Sequence, residues 1–402
     1  MNEELLLNLA AKYGDPLYVY DANRIEAQYN RLKNAFSGVK SLKIHYAIKS
    51  NTNISILKFL NKLNSGTDCV SIQEVKLCIK AGFPLEEISF TPNGVSFEEI
   101  QEAVDLGVKI TLDNLSVLEK FGEAYPDLPV AIRINPHVMA GGNHKISVGH
   151  IDSKFGISIY QIEKIKEVIA KTGTRVNGIH MHTGSDIYNI DAFIQAANVL
   201  LGIVKQFDDI EFVDFGSGFK VPYKEGDNET NIEELGTKIS ARFNEFCEEY
   251  GRDLTLIFEP GKFLVSESGS LLVKVNVVKT TPNIVFAGVD SGLNHLIRPM
   301  MYDAYHHITN ISNPDGDKKY YSVVGYICET DTFGSDIKIS QITEGDILRI
   351  HNAGAYSFTM ASNYNSRFKP AEVMVYNGQD YLIRERETFE DLLKNQIEVE
   401  VE

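Results

Sequence analysis

The stretch KIHYAIKSNTNISILKFLNKLNSGTDCVSIQEVKLCIKAGF, residues 43–83, passes twice from a short β-prone run to a longer run of helical periodicity. Ile44–Ile48 is apolar and stops at a lysine, and ISILKFLNKL beyond it spaces its apolar side chains as one face of a helix does. Asp68–Ser71 is the second short run, and IQEVKLCIKAGF after it repeats the helical spacing. Between the two stands Ser71-x-x-Glu74, a capping-box pattern in which serine and glutamate satisfy free backbone donors at a helix start. Strand, cap and helix make one βα unit.

Working outward, the unit recurs. Further short runs fall at Ile88–Thr91, Lys109–Leu112, Val130–Ile134, Gly178–His182, Phe212–Phe215 and Thr255–Phe258, and a second capping pattern occurs at Ser96-x-x-Glu99. Eight units in roughly 220 residues fit a (β/α)8 barrel, whereas an open doubly wound sheet more often stops at five or six strands. From about Ser266 the pattern changes to LLVKVNVVKTT, NIVFAGVD, YYSVVGYICE and EVMVYNGQDYLIR, strand-like runs divided by turn residues. These predict a mostly antiparallel β domain, which the spare strand at Pro16–Tyr20 can join. The expected organisation is therefore α/β: a barrel over 25–265, and a β domain built from 1–24 and 266–402. The acidic end IEVEVE reads as a solvated tail.

The chain has 402 residues, 43% of them hydrophobic, enough for a large barrel or two ordinary domains. A net charge of −16 argues against a nucleic-acid or anionic-membrane surface, because phosphate neutralisation needs clustered Lys and Arg. The opening residues MNEELLLNLAAKY show no signal-peptide pattern, and no run approaches the roughly 20 apolar residues of a membrane span. Cys69, Cys78, Cys247 and Cys328 are scattered without a CxxC pair, which fits reduced thiols in a cytoplasmic protein and predicts no metal cluster.

In a barrel the chemistry gathers where the strands end. Lys49, Asp68, Ser71, Asn93, Asp113, Arg133, Asn135, His182, Gly216 and Glu259 lie at or just past those ends. Lys49 closes an apolar strand, where a partly desolvated amine can condense with an aldehyde; a strand-end lysine is also commonly just solvent-facing. Gly216-Ser217-Gly218 follows strand seven, and loops after strands seven and eight often hold phosphate, although GxG is also an ordinary tight turn. HMHTGS places His180 and His182 on one side of strand six, with Ser185 beyond. A flat imidazole there can stack on an aromatic cofactor, ligate a metal, or simply fill a core; no third ligand is spaced nearby for a metal. Glu259, in FEPGK, can pair with a pyridinium nitrogen, act as a general base, or form a structural ion pair.

Eight segments in order, HYAIKSN (45–51), DCVSIQE (68–74), HMHTGSD (180–186), DFGSGFKVPY (214–223), FEPGKF (258–263), LIRPMMYDAYH (296–306), ICETDTF (327–333) and GAYSFTMASNYNSRFKPAEV (354–373), resemble the fold-type III pyridoxal-phosphate-dependent decarboxylases over nearly the whole chain. The resemblance implies a (β/α)8 barrel with a β domain, pyridoxal 5'-phosphate as cofactor, and a homodimer whose subunits share active sites. It implies decarboxylation of meso-2,6-diaminopimelate to L-lysine and carbon dioxide, the last step of lysine biosynthesis. Ornithine, arginine or lysine decarboxylation is the related alternative, and a non-catalytic pyridoxal-phosphate-binding regulator is the alternative of another class. By the same resemblance Lys49 carries the cofactor and Cys328 is the proton donor. His182 stacks on the ring, Glu259 pairs with its nitrogen, and Ser185 with Gly216, Ser217 and Gly218 holds the phosphate. Asp68, Arg133, Gly261, Lys262 and Tyr356 complete the cofactor set, and Lys262, Arg298, Tyr302, Glu329 and Tyr356 form the substrate set. Three positions depart from the usual pattern: Lys262 stands where the family commonly has Arg, Gly-Ser-Gly where it has three glycines, and Asp186 where it has Gln. The lysine matters most, since guanidinium grips a carboxylate through two parallel bonds and ammonium acts as a point charge.

Overall fold

The computed structural model describes residues 1–138 and 153–401. The chain divides into two compact units, one of Glu26–Pro222 and Asn228–Leu264, the other of Met1–Ile25, Tyr223–Asp227 and Val265–Glu402. The first strand, β1 (Leu17–Asp21), belongs to the second unit.

The first unit is a closed parallel barrel. Its strands are β2 (Leu42–Ala47), β3 (Gly66–Cys69), β4 (Ile88–Phe90), β5 (Lys109–Leu112), β6 (Val130–Asn135), then, past the two-residue β7 (Ile157–Ser158), β8 (Val176–His180), β9 (Phe212–Asp214) and β10 (Thr255–Phe258). The order β5-β4-β3-β2-β10-β9-β8-β6 closes on itself through the β5–β6 pairing, with β7 flanking β6. Strands β3, β4 and β6 are buried along their whole length, as expected where the barrel interior lies on one face and helices on the other.

Two barrel strands stop two residues short of the sequence expectation, while the other barrel strands end within one residue of it. The second barrel strand stops at Cys69, so Ser71 is a helix cap and no part of the strand. The sixth stops at His180, whose partner Asp214 is the last paired residue of β9, so His182 belongs to the following loop. Both serine caps form: Ser71 Oγ accepts from Glu74 N and Ser96 Oγ from Glu99 N, each at 3.3 Å. The reciprocal halves are redirected. Glu74 Oε2 accepts from Val70 N at 2.8 Å, and Glu99 reaches back to the preceding helix, where its Oε1 accepts from Ile72 N at 2.9 Å. Ile72 is the first helical residue after Ser71, so Glu99 satisfies one of the donors that the helix leaves open.

Phenylalanines fill the shell behind β9 and β10. Phe258 lies 4.4 Å from Phe36, 5.7 Å from Phe219 and 6.1 Å from Phe215, centroid to centroid, with all four rings buried. Phe258 and Phe215 immediately precede Glu259 and Gly216, so this apolar packing anchors the backbone that carries both.

The second unit holds β1 and, in chain order, β11 (Gly269–Thr280), β12 (Val285–Val289), β13 (Ile308–Asn310), β14 (Lys318–Val324), β15 (Thr332–Ser340), β16 (Ile347–Ile350), β17 (Ala371–Tyr376) and β18 (Gln379–Arg384). The path β15-β14-β12-β11-β1-β17-β18 is mostly antiparallel, with β1–β17 and β12–β14 parallel; β16 also pairs β11, and β13 pairs β16. The expected strand over YYSVVGYICE ends at Val324, because Gly325 N turns to donate to Asp331 O at 2.7 Å and opens a loop. Among the described residues no helix is long and apolar enough to cross a membrane.

Burial, followed by the nearby charge of Asp68, pushes Glu74 from 4.5 up to about 7. The folded chain then binds a proton that the unfolded chain has released, so Glu74 erodes stability as pH rises from about 4.5 through 7. Glu74→Gln should therefore raise the melting temperature at pH 8 and converge with wild type near pH 4.5, as read by thermal melts across that range.

Candidate active site

The strand ends of the barrel enclose a cavity of about 380 Å³, lined by Lys49, Asp68, Thr91, Asn93, Arg133, Phe155, His180, His182 and Glu259 among others. Lys49 sits in the short turn Ile48–Ser50 that follows β2. Its side chain is 40% exposed, and its Nζ lies 2.9 Å from Oδ2 of the buried Asp68 at the end of β3. Burial and the charge of Glu259 push the Asp68 carboxyl up, against the pull of Lys49.

Glu259 is buried just past β10, and His180 Nε2 lies 3.0 Å from its Oε2. Burial works against ionisation, but His180 and, behind it, the charge of Lys49 hold the carboxyl below the usual range. It is an anion in a place of low dielectric. Asp214, on β9, moves the other way, pushed well above the usual range by burial and by Glu259, while its Oδ1 accepts from Gly216 N at 2.7 Å. His180, Asp214 and Glu259 offer ligand atoms within 4.8 Å of one another. The fold thus brings together three groups that spacing along the chain does not, but Asp214 tends to keep its proton there and a protonated carboxyl is a poor ligand.

Arg133, buried on β6, stacks its guanidinium 4.9 Å from the Phe155 ring, and burial lowers its pKa. His182 is kept neutral, its pKa lowered well below 6.5 by burial and by the charges of Arg133 and Lys49. Its Nδ1 accepts from Ser217 N at 3.4 Å, which ties the imidazole to the loop after β9. In that loop Gly216 and Gly218 have φ of +63° and +108°. A Cβ on Gly216 would lie 2.5 Å from Met181 O, and one on Gly218 2.2 Å from Gly184 O, so both glycines are required for the loop to lie against residues 181–184. Ser185 follows on the facing loop, half-buried.

These residues fit pyridoxal phosphate. An amine lines the cavity, a carboxylate is available to a ring nitrogen, a flat imidazole can lie on a ring face, and two close-packed glycines shape a turn whose backbone donors suit a phosphate. The buried Thr91 Oγ1 and His180 Nδ1 lack a hydrogen-bond partner among the described residues, consistent with a polar guest.

Two of the departures noted in the sequence meet in space: Lys262 Nζ lies 2.7 Å from Asp186 Oδ1. Nothing in their spacing, 76 residues apart, announces that pair. Asp214 and His180 were likewise missed as neighbours of Glu259, although each lies within an anticipated strand.

The remaining candidates lie in the second unit. Arg298 opens the five-residue helix Arg298–Tyr302, is buried, donates from Nε to His306 Nε2 at 3.4 Å and stacks 5.6 Å from the Tyr223 ring. Tyr302 is half-buried at the end of that helix, and Tyr356 adopts a φ of +54°. Cys328 and Glu329 are exposed on the loop after β14; Asn365 Nδ2 donates to Cys328 Sγ at 3.3 Å, and Tyr364 donates its hydroxyl to Glu329. The sequence reading missed what shapes this loop. Buried Asp331 accepts from Leu293 N at 2.6 Å and from Ile327 N at 3.1 Å. Its position inside ICETDTF was the one available signal.

Residues 22–266 match the family model for the pyridoxal-binding domain of pyridoxal-dependent decarboxylases. The chain is 40% identical over 400 residues to the diaminopimelate decarboxylase of Methanothermobacter thermautotrophicus, covering 97% of this chain and 93% of that protein. It is 33% identical to the solved diaminopimelate decarboxylase of M. jannaschii in complex with L-lysine, with a TM-score of 0.91 over 98% of this chain and 94% of that one. For the Helicobacter pylori enzyme complexed with L-lysine the values are 34%, 0.88, 97% and 98%.

Asp331→Ala removes the acceptor of two backbone donors, which costs roughly 1–3 kcal/mol for each buried donor left unpaired. Hydrogen exchange should quicken at Leu293 and Ile327 before it does so in β11, with the barrel amides unchanged.

Proposed function

The chain belongs to the pyridoxal-dependent decarboxylases, and on that premise we propose that it converts meso-2,6-diaminopimelate to L-lysine and carbon dioxide with pyridoxal 5'-phosphate as cofactor. The observation that carries this reading is Glu259, buried beside His180 in the cavity that Lys49 lines. When bound, pyridoxal phosphate supplies an electron sink for the bond pair released with carbon dioxide. Lys49 is the residue that would hold it covalently, and Asp68 keeps that side chain directed into the cavity. Glu259 would keep a proton on the ring nitrogen, which a neutral partner would not do, and the neutral His182 would lie on the ring without a competing charge. Ser185 and residues 216–218 would hold the phosphate through hydroxyl and backbone donors, and Arg133, Gly261, Lys262 and Tyr356 complete that contact set.

For the substrate we assign Arg298, Tyr302, Glu329, Tyr356 and Lys262, with Cys328 as proton donor. Diaminopimelate carries a carboxylate as well as an ammonium at its far end, whereas lysine and ornithine carry only the ammonium there. A guanidinium and a carboxylate in the recognition set suit both distal charges. We also assign a homodimer with shared active sites and a cytoplasmic location; the latter is supported by four cysteines that are all free.

Carbon dioxide release should be efficient with meso-diaminopimelate and poor with lysine and ornithine. Arg298→Ala should lose diaminopimelate turnover selectively, by roughly 10²-fold or more, since an unmet distal carboxylate costs a few kcal/mol. Wild type preferring ornithine or lysine would sink the assignment. For the shared site, mixing inactive Lys49→Ala and Cys328→Ala chains under subunit exchange should restore activity above either parent, because one hybrid site regains both groups. No gain after verified exchange would contradict it.

A further inference from the structure

Lys262 is the strongest point at which this chain's own residues qualify the reading above. Its side chain is only 8% exposed, so its ammonium needs a partner, and that partner is Asp186 at 2.7 Å. The two residues lie on the segments that flank the 216–218 loop from opposite sides. On one side, Ile187 N donates to Gly218 O at 2.8 Å, which fastens Asp186's segment to the loop. On the other, Glu259 N donates to Gly216 O at 2.8 Å and Ala47 N to Pro260 O at 3.2 Å, which fastens the segment of Lys262 both to the loop and to the strand that ends at Lys49. Asp186 holds a φ of +60°, an uncommon conformation for a residue with a side chain, while it makes this bond.

We propose that Asp186 is a positioning residue that holds Lys262 in place and, by neutralising it, sets how strongly this corner of the site retains an anionic group. The inference rests on the cofactor reading above. Two ions of opposite sign in contact present almost no net charge to a third, so Lys262 attracts a phosphate or carboxylate far less than a lone ammonium would. Asn at 186 keeps an oxygen able to accept from Lys262 while removing the negative charge, and therefore separates position from charge.

The anion has two candidate sources, the cofactor's phosphate and the substrate's carboxylate, and two titrations distinguish them. In the first, apoenzyme is titrated with pyridoxal 5'-phosphate and, as a phosphate-free control, with pyridoxal, followed by visible absorbance. In the second, holoenzyme is titrated with L-lysine, and with cadaverine as the carboxylate-free control. Asp186→Asn should tighten binding on the order of tenfold in one arm, with a steeper salt dependence and no change for that arm's control ligand. Lys262→Met should weaken the same arm, and the Asp186→Asn, Lys262→Met double variant should bind more tightly than Lys262→Met, because the unpaired carboxylate is gone. Should Lys262→Met fail to fold, Asp186→Glu serves in its place: it keeps the charge and must not tighten binding. Asp186→Asn leaving both arms unchanged, or weakening them, overturns the proposal. A wild-type chain that takes up no pyridoxal 5'-phosphate overturns the functional reading itself.

Discussion

Everything at the barrel mouth depends on keeping one carboxylate ionised out of water. Removing an ion from solvent costs several kcal/mol even after relaxation, and the cost falls only if charges and donors are already arranged around it. Glu259 meets that condition through His180 at 3.0 Å and the charge of Lys49. Its charge then acts on its neighbours. Asp214 and Asp68 are both pushed towards the protonated form, and Arg133 is supported as a cation against its own burial. Burial is the larger cause of each of these shifts, and the charge of Glu259 adds to it at Asp68 and Asp214 and opposes it at Arg133.

Such a pattern needs a rigid frame, and the frame is apolar. Phe258 and Phe215, one residue before Glu259 and Gly216, are locked among Phe36, Phe219 and Phe243. Each fully buried ring contributes on the order of 1.5–3 kcal/mol, which also holds the adjacent backbone in the register that the cavity needs. Glycine completes the frame where the backbone must pass closest, at Gly216 and Gly218. The same economy operates in the second unit, where Asp331 spends a buried carboxylate on two backbone donors and so shapes the loop that displays Cys328 and Glu329.

Much of this was legible in the chain before any coordinates. Periodicity alternating between short β-branched runs and helical stretches marks eight βα units, because burial on one or two faces leaves its period in the sequence. Serine caps were legible at Ser71 and Ser96 for a local reason: the bond closes within three residues. The glutamates of those same patterns escaped, since Glu99 finds a donor on the preceding helix, which no local rule contains.

Sequence alone therefore determined the barrel, the β domain and the strand-end positions of Lys49, Asp68 and Glu259, all of which follow from local pattern and from the rule that barrel chemistry collects at strand ends. Only the tertiary structure decided which of those groups touch. The pairs Lys49–Asp68, His180–Glu259 and Lys262–Asp186 join residues 19, 79 and 76 positions apart. Charge and burial act through space, so the protonation states of Glu259, Asp214 and His182 came into existence only when the barrel closed.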